Sequence, residues 1–299
     1  MTGVRSAAAH CTGVARHSVR LPNGGVLALG GDARARIMGI LNVTPDSFSD
    51  GGLYLDVSAA AAHAEEMADA GADVIDVGGE STRPGSEPVS IPDQLARVIP
   101  VISRVAQRLK APISIDTTSA EVARRALDAG AQIVNDVSAL RQDPAMGPLL
   151  AERGAPVVLM HMKGRPRDMQ VDPQYADVVG EVMEFLSERI AAAVASGISR
   201  EQIIVDPGFG FGKRLEHNLE LLRRLDELRA LGRPICVGTS RKAMIGQILG
   251  VAAPERVFGT AATLAAAIER GASMVRVHDV MPAVHVARVM AAIQGRAWK

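Results

Sequence analysis

A (β/α)8 TIM barrel is the fold class that this sequence predicts, and three observations predict it. First, six glycines that follow helical stretches each lead into a short apolar run that ends at polar or ionisable residues. These segments are 71–76, 130–136, 154–161, 197–206, 232–242 and 271–279. Second, two more apolar runs end in the same way without a leading glycine: 37–41 into Asn42 and 112–115 into Asp116. Third, 299 residues suit one barrel, for which about 250 are typical. Glycine after a helix supplies a left-handed C-cap, and four to seven apolar, β-branched residues suit a strand buried on both faces. Eight such strands alternating with helices predict a barrel whose active site is built at the strands' C-terminal ends.

The elements follow in chain order. Residues 1–16 are rich in Ala, Gly and Ser without periodicity and read as a flexible N-terminal extension. Residues 17–299 read as a single domain. Its first part, 17–29, has Pro22-Asn23-Gly24-Gly25 between apolar flanks, the pattern of a β-hairpin that plugs the bottom of the barrel. Helices are expected at about 58–70, 91–109, 119–129, 144–153, 174–196, 216–230, 256–270 and 281–294. Alanine runs at 59–62 and 261–267 read as tightly packed helix faces. Loops 43–56, 79–90 and 206–214 carry more Gly, Pro, Ser and Thr than a connector needs, as lids on a catalytic face do.

Composition narrows the function classes. The chain is 47% hydrophobic, enough for a large core, and its 33 basic and 33 acidic residues give a formal net charge of zero. With no Lys/Arg block, neither nucleic acid nor a membrane surface is an expected partner. Cys11 and Cys236 form neither a disulfide framework nor a metal-site spacing, which fits a reducing cytoplasm. No apolar run approaches the roughly 20 residues of a membrane span, and the N-terminus lacks a hydrophobic signal core. A soluble cytoplasmic protein is the expectation.

Candidate site residues lie at the predicted strand ends. Arg276 and His278 share a face of the last strand, so a guanidinium fork and an imidazole suit a phosphate or pyrophosphate there; a salt bridge to a neighbouring strand's carboxylate is the alternative for Arg276. Asn42 and Asn135 offer neutral amides for a hard cation or a heterocycle, or act as turn residues. Asp116 and Asp206 point into the mouth by alternation, and a buried Asp needs a partner such as an amidine-like N–H/NH2 edge. Asp116 could instead cap the following helix, although Thr117, Thr118 and Ser119 offer caps too. Lys213 closes an alternating-glycine run, 206–213, and could be a surface residue. Lys242, at a helix start, points either to the site or to solvent.

Taken together, these segments resemble the dihydropteroate synthase family of the folate pathway over residues 36–290. The resemblance rests on Met38-Gly-Ile-Leu-Asn42-Val-Thr44-Pro-Asp46-Ser-Phe48, on Asp76-Val-Gly-Gly-Glu80-Ser-Thr82-Arg83-Pro84-Gly85, and on Ser114-Ile-Asp116-Thr. It continues through Asn135-Asp136, Met160-His161-Met162, Asp206-Pro-Gly-Phe-Gly-Phe211-Gly, Ser240-Arg241-Lys242 and Arg276-Val-His278-Asp279. It implies condensation of 6-hydroxymethyl-7,8-dihydropterin pyrophosphate with 4-aminobenzoate to give 7,8-dihydropteroate and pyrophosphate. Asp116, Asn135, Met160, Asp206, Phe211 and Lys242 would hold the pterin. Asn42, Thr82, Arg276 and His278 would hold the pyrophosphate, with Asn42 on its Mg2+. Thr44, Asp46, Phe48, Thr82, Arg83, Pro84 and Ser240 would build the aminobenzoate site, and Asn42, Thr82, Arg83, Lys242, Arg276 and His278 would carry the catalysis. The family resemblance also implies a homodimer and a sulfonamide target.

Two other readings compete: a methyltetrahydrofolate-dependent methyltransferase, which shares a pterin-holding barrel, and a catalytically silent pterin-binding paralogue. The first has no use for a pyrophosphate clamp or for the Thr82-Arg83-Pro84 loop. A phosphate-sugar barrel enzyme is more distant, because paired carboxylates with Asn135 fit a heterocycle edge better than a polyol.

Overall fold

The computed structural model describes residues 14–43, 52–81, 86–165 and 167–298, with residues 52–56 as backbone only. Strand β1 (His17–Arg20) and strand β2 (Val26–Leu29) form the expected antiparallel hairpin, His17 opposite Leu29 and Arg20 opposite Val26. The barrel strands are β3 (Arg36–Asn42), β4 (Val74–Gly78), β5 (Ile113–Asp116), β6 (Ile133–Asp136), β7 (Val157–Met160), β8 (Ile203–Asp206), β9 (Ile235–Val237) and β10 (Ala272–Val277). They close in sequence order with β10 beside β3, every pair parallel.

Alternation along these strands separates two apolar sets. Outward residues such as Ile37, Leu41, Ile75, Val77, Ile115, Val205 and Val275 pack under the helices in one core. Inward residues near the strand starts, Met38, Val74, Ile133, Val158, Ile204, Cys236 and Met274, pack instead with Val19, Leu21, Leu27 and Leu29 of the hairpin. The hairpin therefore does plug the barrel bottom. Two residues further up the same inward faces stand Asp76, Asn135, Asp206 and Arg276. The barrel interior is thus apolar at its floor and polar at its C-terminal end, where the loops are.

Helices α1 (Gly52–Asp69), α2 (Ile91–Val105), α3 (Ala120–Asp128), α4 (Met146–Arg153), α5 (Val178–Ala195), α6 (Leu215–Arg223), α7 (Ala243–Leu249), α8 (Val257–Glu269) and α9 (Val280–Ile293) cover the outside. The six punctuating glycines all have positive φ, and Gly154 and Gly232 are left-handed C-caps at φ 58° and 64°. Several boundaries differ from expectation. The span 174–196 begins only at Val178, because the Asp177 side chain caps the backbone N–H of Val179 at 3.2 Å and Pro173 lies just upstream. The span 216–230 divides into α6 and a 3-10 segment, Leu225–Leu231. An additional helix, α7, precedes α8, ended by Gly250 at φ 69°. Ser119 caps α3, accepting from the Val122 N–H, and Asp143 accepts from the Ala120 N–H at 2.8 Å. Asp116 is therefore not needed as a cap.

Among the described residues, no helix is long and apolar enough to cross a membrane. The expected extension falls largely outside the described residues, which begin at Val14.

Candidate active site

The C-terminal ends of the strands bring together most of the residues that the sequence singled out. Arg276, on the inward face of β10, reaches across the mouth: its Nε donates to Asp76 Oδ2 at 2.6 Å and its Nη2 to Asp116 Oδ2 at 2.7 Å. Asn135 Nδ2 donates to the same Asp76 oxygen at 3.1 Å. Asp76, Asp116 and Asn135 are all buried. The salt-bridge alternative for Arg276 is thus realised, and it spans the barrel to β4 and β5 rather than ending on an adjoining strand. Burial pushes the Asp116 carboxyl up to about 7 against the pull of the Arg276 charge. Burial also works against ionised Arg276, but the two carboxylates outweigh it and raise its pKa.

Asp206 ends β8, is buried, and accepts from the Gly208 N–H at 2.7 Å. Burial raises its pKa. The glycine loop after it is folded so closely that a side chain on Gly208, at φ 67°, would strike the His161 carbonyl, and one on Gly212 would strike the Lys163 carbonyl. Lys242 reaches the Phe209 carbonyl and lies 4.1 Å above the centre of the Phe211 ring. Of the two directions open to Lys242, the site is the one taken, and burial draws its pKa down to about 7 despite nearby Asp206. Met160 packs with Val137, Met162 and Met169, with Phe211 against them. These groups set apolar and aromatic surface beside a row of carboxylates and one amide.

Lys213 is not a surface residue. It is 3% exposed, and its Nζ is bonded by the His161 ring at 2.8 Å, the Gly208 carbonyl at 2.9 Å and the Phe211 carbonyl at 3.2 Å. An ammonium has three protons, so this buried group is fully satisfied. Burial lowers its pKa well below the usual lysine range; burial and the Lys213 charge hold the His161 imidazole down to about 2.

At the mouth, Ser240 Oγ accepts from the His278 backbone N–H and lies 3.1 Å from its ring Nδ1. Ser240 is itself buried, so its hydroxyl helps fix the His278 ring. The Asn42 amide ends β3 beside Gly78, whose missing side chain leaves room between Asn42 and Asp116. Thr44, Asp46, Phe48, Thr82, Arg83 and Pro84 lie outside the described residues.

Asp76 was not among the residues singled out, although a signal was present. Inside an otherwise apolar strand buried on both faces, a lone Asp must be paired within the barrel.

The chain is similar to proteins of one known family. The family model described as pterin binding enzyme matches residues 38–278. The chain is 50% identical over 256 residues to the dihydropteroate synthase of Escherichia coli (strain K12), covering 86% of this chain and 90% of that one. It superposes with a TM-score of 0.86 and 48% identity on the Xanthomonas albilineans dihydropteroate synthase solved with 4-aminobenzoic acid, covering 94% of this chain and all of that one. The same enzyme solved with 7,8-dihydropteroate superposes with a TM-score of 0.82 and 44% identity, covering 93% of this chain and 100% of that one.

Proposed function

The chain belongs to the pterin-binding enzymes and, among them, to the dihydropteroate synthase family, and from that premise we propose that it joins 6-hydroxymethyl-7,8-dihydropterin pyrophosphate to 4-aminobenzoate. The observation that carries this reading is the convergence of Asp116, Asn135, Asp206, Lys242 and Arg276 at one end of the barrel beside Met160 and Phe211. A pterin's amino-pyrimidinone edge presents adjacent N–H donors and one carbonyl. The carboxylates of Asp116 and Asp206 and the Asn135 carbonyl accept from such an edge, and Lys242 donates.

Arg276 and His278 hold the diphosphate. Binding of the pterin edge to Asp116 competes with the Arg276 bond to that carboxylate, so the arriving substrate redirects a guanidinium Nη toward its own phosphates. No protein nucleophile is required. The electron-rich dihydropterin supports positive charge at its methylene carbon, the C–O bond to pyrophosphate breaks with its electron pair leaving on oxygen, and the arylamine then attacks. The amine nitrogen loses its proton after C–N bond formation. An arylamine is a weak base already in its free form, so alignment and exclusion of water matter more than a general base.

Mg2+ is the proposed cofactor. Among the described residues no group of three His, Cys, Asp or Glu is placed to hold a metal. The Asn42 amide oxygen is a hard donor that suits a cation carried chiefly by phosphate oxygens and water. When bound there, Mg2+ supplies charge neutralisation on the leaving group. By the family resemblance Thr44, Asp46, Phe48, Thr82, Arg83 and Pro84, which lie outside the described residues, would serve the aminobenzoate site, where sulfonamides would compete.

The proposed assembly is a cytoplasmic homodimer. Its support is apolar surface on adjacent outer helices: Phe258 of α8 is 85% exposed, Ile248 and Leu249 of α7 are also exposed, and so are Met281, Val289 and Ile293 of α9.

The test is pyrophosphate release by the full chain given the dihydropterin pyrophosphate and Mg2+, with and without 4-aminobenzoate. Release that depends on aminobenzoate and yields dihydropteroate supports the synthase. Tight pterin binding without release would favour the silent paralogue.

A further inference from the structure

We propose that Asp76 is a positioning residue for this reaction: from the sealed centre of the barrel, its carboxylate sets the plane of Arg276 and the orientation of Asn135. The proposal rests on the synthase reading given above.

Asp76 stands on the inward face of β4 between Val74 of the apolar floor and Gly78 at the mouth, with no exposed surface. One of its oxygens, Oδ2, accepts from both Arg276 Nε and Asn135 Nδ2. Its other oxygen is buried with no hydrogen-bond partner among the described residues, as is Ser114 Oγ on the register-paired residue of β5. A buried carboxylate must satisfy its charge locally. The hydrogen-bond donors that meet this one belong to two residues of the substrate site.

Two consequences follow from donor and acceptor chemistry alone. A carboxylate only accepts, so the Asn135 atom facing Asp76 is the NH2, and the Asn135 carbonyl oxygen is left to face the ligand. An acceptor is what the N–H donors of a pterin edge require; a rotated amide would present a donor to a donor. For Arg276, the bond from Nε fixes the guanidinium plane while Nη2 is shared with Asp116. When a ligand takes Asp116, the Nε anchor stays, and the freed donors remain aimed at the mouth.

Asp76 therefore acts on pterin affinity through Asn135 and on turnover through Arg276, without touching substrate. This separates it from a structural core carboxylate, whose loss lowers stability alone. The experiment compares wild type, Asp76→Asn, Arg276→Ala and the double variant, as full-length chains with Mg2+ in excess. Steady-state kinetics, calorimetric binding of a pterin lacking the diphosphate, and thermal unfolding are measured for each.

Asp76→Asn is expected to lose about 10- to 100-fold in kcat/KM for the dihydropterin pyrophosphate, the size usual for groups that orient a site from behind. The KM for aminobenzoate should change by less than about threefold, because Asp76 reaches only the pterin and diphosphate groups. The kcat loss should shrink severalfold on the Arg276→Ala background, whereas the loss of pterin affinity should persist there. Wild-type kinetics in Asp76→Asn, or kcat losses that multiply in the double variant, would overturn the proposal. If Asp76→Asn does not fold, Arg276→Lys carries the test: lysine keeps the charge but cannot hold Asp76 and reach the diphosphate together, so kcat near wild type would overturn it. Wild type that forms no dihydropteroate would instead remove the synthase reading, and this proposal with it.

Discussion

Arg276 shows how one side chain couples several charges. It is the counter-ion of two buried carboxylates, so Arg276→Ala leaves both unpaired and should cost about 3–5 kcal/mol of stability, read from urea unfolding. It also removes the largest influence that lowers the Asp116 pKa. Asp116, raised by burial to about 7 with Arg276 present, is ionised above that value and protonated below it. Without Arg276 its midpoint rises further, so the carboxylate needed by the pterin edge forms only at higher pH. Pterin affinity of Arg276→Ala should be near wild type in alkaline buffer, and its fall on acidification should begin at higher pH than in wild type. Turnover should stay well below wild type throughout. Calorimetric titration of a diphosphate-free pterin from pH 6 to 9 (about the range that brackets the raised carboxyl) checks this, and an unshifted acid limb would contradict it.

At the scale of elements, two pieces have separable duties. The hairpin seals the barrel floor, and Leu29, fully buried there beside Met38 and Met274, has no chemical role. Leu29→Ala should destabilise by about 2–5 kcal/mol through lost burial and a cavity, leaving the KM values within about twofold of wild type because the polar layer above keeps its bonds. The glycine loop after β8 is the reverse case. Gly208 combines a positive φ with the close approach of the His161 carbonyl, and its N–H holds Asp206. Gly208→Ala should therefore weaken pterin binding at least tenfold, as loss of one well-placed charged hydrogen bond does. Calorimetry on the folded variant would measure it. The punctuating glycines and apolar runs made these elements readable in advance; the 174–196 boundary and the separate α7 were not, because Asp177, Pro173 and Gly250 act at single residues against a continuing helical pattern.

For the whole molecule, assembly turns on exposed apolar surface. Phe258 is 85% exposed on α8, and α7 and α9, which pack beside α8, carry further exposed apolar residues, costly to leave in water. If two copies share that face, sedimentation of the wild type should give a dimer at micromolar concentration, and Phe258→Asp should shift it toward monomer by burying an unpaired charge. A wild type that sediments as monomer would remove the dimer proposal.

The barrel was readable along the chain, because strand length, glycine caps and the position of each polar stop are local properties of a chain with a two-residue and a 3.6-residue period. The sequence also put Asn42, Asp116, Asn135, Asp206, Arg276 and His278 at or near the C-terminal ends of strands, because each stands where an apolar run meets polar residues, with Lys242 in the loop after β9. Side-chain partners came from the closed barrel. That Arg276 spans to β4 and β5, that Asp76 joins it to Asn135, and that Lys213 is buried on His161 and two carbonyls depend on closure of β10 against β3 and on how the glycine loop folds back. Residues 200 positions apart meet only when a barrel closes, and in its dry interior a charge takes whichever opposite charge the closure brings within reach.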